Sequence, residues 1–150
     1  MIIFLDTSAW IKYFLAEEGT SSVQQFLQNV LVEENNRMVA SPITYPEVMA
    51  TLKRALLGQR ITQVEMETII QLFEAQWQSI QVVTVTTSLV YLAGQLAKDY
   101  ALRGCDAFQL ATALESSCDL FVSSDKELNR AASQCEIMVW NPTNGDFTEL

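Results

Sequence analysis

The feature that most constrains this chain is an alternation. Short β-rich runs recur at IIFL (2–5), MVAS (38–41), IQVVTV (80–85), LFVS (120–123) and EIMVW (136–140). Between them lie stretches of helical length and periodicity: SAWIKYFLAE, SSVQQFLQNVLVEE, YPEVMATLKRALL, QVEMETIIQLFEAQWQ, SLVYLAGQLAKDY, CDAFQLATALES and KELNRAA. Parallel strands need long crossovers and helices supply them, so the pattern predicts an α/β fold with a mostly parallel five-stranded sheet covered on both faces. No Gly/Ser linker, repeat or low-complexity tract divides the chain, and one domain over residues 1–150 is expected. A hydrophobic content of 49% is enough for its core. In such sheets ligands bind beyond the carboxyl ends of the strands, where the strand order reverses.

Acidic residues fall at that edge. Asp6 follows IIFL directly, Glu47 lies on the helix after MVAS, and Asp125 follows LFVSS. Asp106, in RGCDAFQLATAL, shares a helix face with Leu110 and Ala113, among residues of core type. Each acid has a local structural reading. Asp6 suits a helix N-cap, Thr44-Tyr45-Pro46-Glu47 and Ser124-Asp125-Lys126-Glu127 both fit a capping box, and Asp106 suits an early helical turn. Together they pose a problem that capping does not answer. Two unit charges about 5 Å apart repel by roughly 3 kcal/mol at an effective dielectric near 20, so four clustered carboxylates cost on the order of 10 kcal/mol. That is comparable with a domain's whole stability, and something must neutralise it, either protonation of some members or a bound cation.

Composition narrows what can. The chain has no histidine, which removes Ser-His-Asp and Cys-His catalysis, imidazole acid–base chemistry and imidazole metal ligation together. An oxygen-only donor set suits Mg²⁺, or Mn²⁺ in its place, and either ion polarises phosphate oxygens and activates water. A formal charge of −9 argues against a broad phosphate-gripping surface. The cysteines Cys105, Cys118 and Cys135 have no metal-ligand spacing and are expected as small core residues. No apolar run reaches the length of a membrane span, and the N-terminus lacks a signal-peptide pattern, so a cytoplasmic protein is expected.

The segments FLDTSAWIKYF, SPITYPEVMATLKR, LRGCDAFQLATALE and LFVSSDKELNRAA, in that order and spacing, resemble PIN-domain ribonucleases, and within them the VapC-like toxins of type II toxin–antitoxin pairs. The resemblance implies a PIN-like three-layer α/β/α fold and metal-assisted hydrolysis of RNA, leaving 5′-phosphate and 3′-hydroxyl ends. It places the family's four acids on Asp6, Glu47, Asp106 and Asp125, with supporting hydroxyls at Thr7 or Ser8 and at Ser124. It further implies an antitoxin that inserts an Arg or Lys into the acidic site, and a homodimer. Exposed apolar residues on the hairpin around 45–78 are candidates for the dimer contact, while Phe73 and Trp77, four apart on one helical face, are expected in the core. Lys12, Arg103, Lys126 and Arg130 are candidates for holding the RNA backbone.

Other functions also place acids at strand ends. An aspartate-nucleophile phosphatase needs a second Asp where this chain has Ser8, and a receiver domain needs an Asp and a Lys where IQVVTV runs into Thr86 and EIMVW into Asn141. Two readings within reach of the same residues remain beside the toxin: a PIN nuclease of RNA processing, and a non-catalytic module whose acidic pocket accepts a partner's Arg.

Overall fold

The first apolar run forms strand β1 (Ile2–Leu5), and its alternation decides which layer each side chain enters. Ile3 and Leu5 join one core cluster and Phe4 the other, all three without exposed surface. An unbroken apolar run results because neither face of the strand meets water. The computed structural model describes residues 1–148. Within them β1 is the middle of five strands, flanked by β2 (Arg37–Ala40) and then β3 (Gln81–Val82) on one side, and by β4 (Leu120–Val122) and then β5 (Met138–Trp140) on the other. Every pairing is parallel, in the order β3-β2-β1-β4-β5.

The crossovers make the two outer layers. Helices α1 (Thr7–Phe14), α2 (Thr20–Val30), α3 (Thr44–Leu57) and α4 (Gln63–Trp77) bury Trp10, Val23, Leu27, Leu52 and Phe73 against Ile3, Leu5, Leu120 and Val122. On the opposite face, α5 (Thr87–Tyr100), α6 (Gly104–Glu115) and α7 (Lys126–Gln134) close over Phe4, Val39 and Phe121. The rings of Phe4 and Phe121 stack across the β1–β4 seam at 5.3 Å. The expected core position of Phe73 is met, and Trp77 packs half-buried beside it. At the far end, Gly19 takes a φ of +88° and lies so close to the Pro142 carbonyl that a Cβ would sit 2.9 Å from it. That approach helps seat the segment after β5 on α2, where Ser22 Oγ donates to Asp146.

Several expected boundaries move, each for a reason visible in the packing. The run 80–85 gives only a short β3, because β2 ends at Ala40 and, after Val83 N–H donates to the Ala40 carbonyl, there is no partner left. The run 136–140 loses its first residues to the turn after α7, where Glu136 has a φ of +63° and Ile137 N–H bonds back to Ala132. Helix α2 stops at Val30, before the exposed Leu31 and Val32 and the acidic Glu33-Glu34 pair that a helix C-terminus disfavours. Of the three cysteines expected in the core, Cys118 and Cys135 pack partly buried against the cluster around Phe4 and Phe121, while Cys105 is exposed in the first turn of α6.

Candidate active site and metal centre

Strand order reverses at β1. The chain leaves it for β2 and β3 on one side and returns through α5 and α6 to β4 on the other, opening a crevice at the carboxyl edge. The Asp6 N–H extends the β1–β4 ladder by donating to the Val122 carbonyl at 3.0 Å. Asp6 and Ser123 are thereby set side by side. Asp6 also caps α1: its Oδ1 accepts from the Thr7 N–H at 2.7 Å, while Oδ2 accepts from Ser8 Oγ and Ser123 Oγ, both at 2.8 Å. Only 5% of the residue is exposed, and burial pushes its carboxyl up to about 6 against the opposing pull of those three donors. Cap and site coincide in this one side chain.

The capping box expected at Glu47 does not form. Helix α3 begins after Ile43 without a side-chain cap, and Glu47 turns towards α1 and α6, where its Oε1 accepts from Thr7 Oγ1 and Gln109 Nε2, each at 2.9 Å. At Asp125 no box forms either: Asp125 itself is the cap of α7, with Oδ1 accepting from the N–H of Leu128, whose side chain has no acceptor to return the bond, at 3.0 Å. Asp106 lies in the first turn of α6, half-buried, and its carboxyl is held above the ordinary range first by burial and then by the neighbouring charge of Asp125. Arg103 opposes that rise. Its Nε donates to Asp106 Oδ2 at 3.2 Å, and a terminal nitrogen lies 3.9 Å from Asp125 Oδ2.

All four acids, with Thr7, Ser8, Ile11, Glu17 and Thr51, line one cleft of about 310 Å³. A larger cavity of about 500 Å³ opens near Met1 and Asn36, at the other end of β1 and β2. As the side chains stand, no three acidic or cysteine groups among the described residues are gathered closely enough to hold an ion. The donor set still fits a hard cation, since the cleft offers carboxylates and hydroxyls with neither imidazole nor thiolate. The Arg103 guanidinium already places one positive charge between two of them.

Of the four basic candidates, Arg103 alone stands at the acids. Lys12 is buried and pairs with Glu17 at 3.2 Å, so its charge is already spoken for. Lys126 faces a separate cavity with Asn129 and Asn144, and Arg130 pairs with Glu127 on the exposed side of α7. The supporting hydroxyl expected at Ser124 belongs instead to Ser123, which is fully buried against Asp6. Ser124 contributes its backbone N–H to Ser8 Oγ at 3.0 Å, while its own hydroxyl has no partner among the described residues. Sequence reasoning passed over Gln109 altogether. Its one signal was an amide in a helix otherwise lined with Ala and Leu, one turn beyond Asp106.

The profile of the PIN domain family matches residues 3–134. This chain belongs to the PIN-domain family. Ribonuclease VapC45 of Mycobacterium tuberculosis is 33% identical to it over 113 residues, 75% of each chain, which groups it with the VapC branch of PIN proteins. Two solved structures share the PIN fold: VapBC2 from Rickettsia felis, bound to a promoter DNA fragment, with a TM-score of 0.68 at 14% identity over 94% of this chain and 98% of that one, and a toxin–antitoxin complex from Klebsiella pneumoniae, with a TM-score of 0.63 at 20% identity over 93% and 97%. Among the described residues of this PIN chain, no helix is long and apolar enough to cross a membrane.

Proposed function

We propose that the cleft is the active site of a metal-dependent endoribonuclease of the VapC type. One observation carries the reading: Asp6, Glu47, Asp106 and Asp125, delivered by four separate elements, converge on one cleft at the carboxyl edge of the two central strands. The name of the M. tuberculosis relative supports RNA as the substrate. Asp6, Glu47, Asp106 and Asp125 would hold Mg²⁺, or Mn²⁺ in its place. When bound, the ion supplies a charge that polarises a phosphate oxygen and lowers the pKa of a water molecule.

The chain's own groups prepare for that step. Ser8 and Ser123 fix Asp6 Oδ2, and Thr7 and Gln109 fix Glu47 Oε1, so two acids from different elements keep their aim. With its carboxyl near 6, Asp6 is mostly ionised at neutral pH and turns neutral in mild acid. Arg103 is exposed, and once Asp106 and Asp125 are engaged elsewhere its guanidinium is free for the phosphate that flanks the scissile bond.

The same pairing suggests how an antitoxin would act. A basic side chain from that partner would sit against Asp106 and Asp125 as Arg103 does, and the formal charge of −9 favours such an approach. The toxin–antitoxin complex of similar fold supports a protein partner of this kind. Leu57, Val64 and Leu72, exposed on α3 and α4, are the surface offered for a homodimer, and the cytoplasm is the proposed compartment.

The test is cleavage of pooled cellular RNA, intact tRNAs included, by antitoxin-free protein with Mg²⁺, Mn²⁺ or EDTA. Cuts that need metal and disappear in both Asp6→Asn and Asp106→Asn are expected, leaving 5′-phosphate ends. Cleavage that survives in either variant would remove the carboxylates from the mechanism. Growth arrest on expression separates a toxin from an RNA-processing PIN nuclease.

A further inference from the structure

Gln109 is the only asparagine or glutamine that is fully buried among the described residues, with 1% of its surface exposed. Its neighbours on α6, Ala107, Leu110 and Ala111, are as deeply buried and apolar. A leucine would fill the same space without needing partners, so the core alone gives no reason for an amide there. The partners are specific. Gln109 Nε2 lies 2.9 Å from Glu47 Oε1, 2.9 Å from Thr7 Oγ1 and 3.0 Å from Thr44 Oγ1.

An ionised carboxylate only accepts hydrogen bonds, so the amide must turn its nitrogen, and not its oxygen, to Glu47. Thr7 Oγ1 donates to the same Glu47 Oε1 at 2.9 Å. That oxygen is held from α6 and from α1 at once, while among the described residues Oε2 accepts no hydrogen bond. A carboxylate pinned at one oxygen has a fixed direction for the other.

We propose that Gln109 is a positioning residue for the metal site, setting the carboxylate of Glu47 and, through Thr7, the start of α1 beside Asp6. It touches neither ion nor RNA. The inference rests on the metal-dependent reading of the cleft, and the experiment separates the two. Mn²⁺ binding, read from loss of the free-ion electron paramagnetic resonance signal, is compared in the wild type, Gln109→Leu, Asp6→Asn and Thr112→Val. Thr112 is a control on the same helix: it is equally buried and donates only to the Phe108 carbonyl, away from the cleft.

Gln109→Leu is expected to bind Mn²⁺ about 10-fold more weakly or worse, the usual effect of losing a partner behind a ligand. Thr112→Val should bind as the wild type does. In RNA cleavage at saturating metal kcat should fall while KM changes little, since with the ion bound no contact with RNA is lost. Binding weakened in Asp6→Asn but unchanged in Gln109→Leu would overturn this inference alone. Binding unchanged in Asp6→Asn as well would overturn the metal site and the role of Gln109 with it. A loss as large in Thr112→Val would reduce Gln109 to helix packing. Should Gln109→Leu not fold, Gln109→Met keeps the length of the side chain, removes the donor facing Glu47 without adding a charge, and is read by the same criteria.

Discussion

Asp6 shows at the scale of one residue how a site can work against the fold that holds it. Its carboxyl, pushed to about 6 by burial, stands above the ordinary value of 3.8. Between those two values the folded chain keeps a proton that the unfolded chain has released. Stability therefore declines as pH rises through that window, by about 3 kcal/mol at most, and no further above it. Asp6→Asn removes the titration while keeping an acceptor for the Thr7 N–H and a side chain that can face Ser8 and Ser123. In metal-free buffer the variant should match the wild type near pH 4 and exceed it by about 2 kcal/mol near pH 7.5, as read from urea unfolding. An equal difference at both pH values would mean that Asp6 is not the group that titrates.

At the scale of elements, two of the four acids also start helices, and the two duties can be pulled apart. Asn caps a helix nearly as well as Asp, whereas Ala leaves the orphan N–H groups unpaired at a cost of about 1 kcal/mol. Asp125→Asn should therefore keep the thermal stability of the parent and Asp125→Ala should lose about 1 kcal/mol, while both lose Mn²⁺ binding to a similar degree. If the Asn variant were as unstable as the Ala variant, the charge of Asp125 and not its cap would be what α7 needs. The double duty also explains what the sequence made legible. Asp6 and Asp125 could be placed because a carboxylate directly after an apolar run is tied to the end of a strand, and the periods of 2 and 3.6 mark those ends well. Ser123 and Ser124 are adjacent, and which of them faces Asp6 follows from the bond between the Asp6 N–H and the Val122 carbonyl, a pairing between segments far apart in the chain. Gln109 was hidden for the same reason, since its partners come from α1 and α3. The short β3 reflects where its neighbour ends, and the stretch IQVVTV carries no trace of that.

The whole molecule sets a last constraint, because a chain of formal charge −9 must accept a polyanion. Charged residues have no direction in a sequence, and of the four basic candidates the fold sets only Arg103 against the four acids, with Lys12 buried and committed to Glu17 on the cleft wall and Lys126 and Arg130 pointing elsewhere. Beside the acids themselves only one phosphate can then be neutralised by a protein cation, and the attraction at the scissile bond falls mainly to the divalent site. For single strands the logarithm of affinity falls with the logarithm of salt at about 0.7 per phosphate contact. One or two contacts give a slope near −1, so raising KCl from about 50 to about 200 mM at fixed Mg²⁺ should weaken RNA binding only about fourfold. Arg103→Ala should flatten the slope by about 0.7. A slope steeper than about −3 would mean that further cations of the chain also grip the RNA backbone, first among them Arg54 and Arg60, which bond to Thr51 and Glu17 on the wall of the cleft.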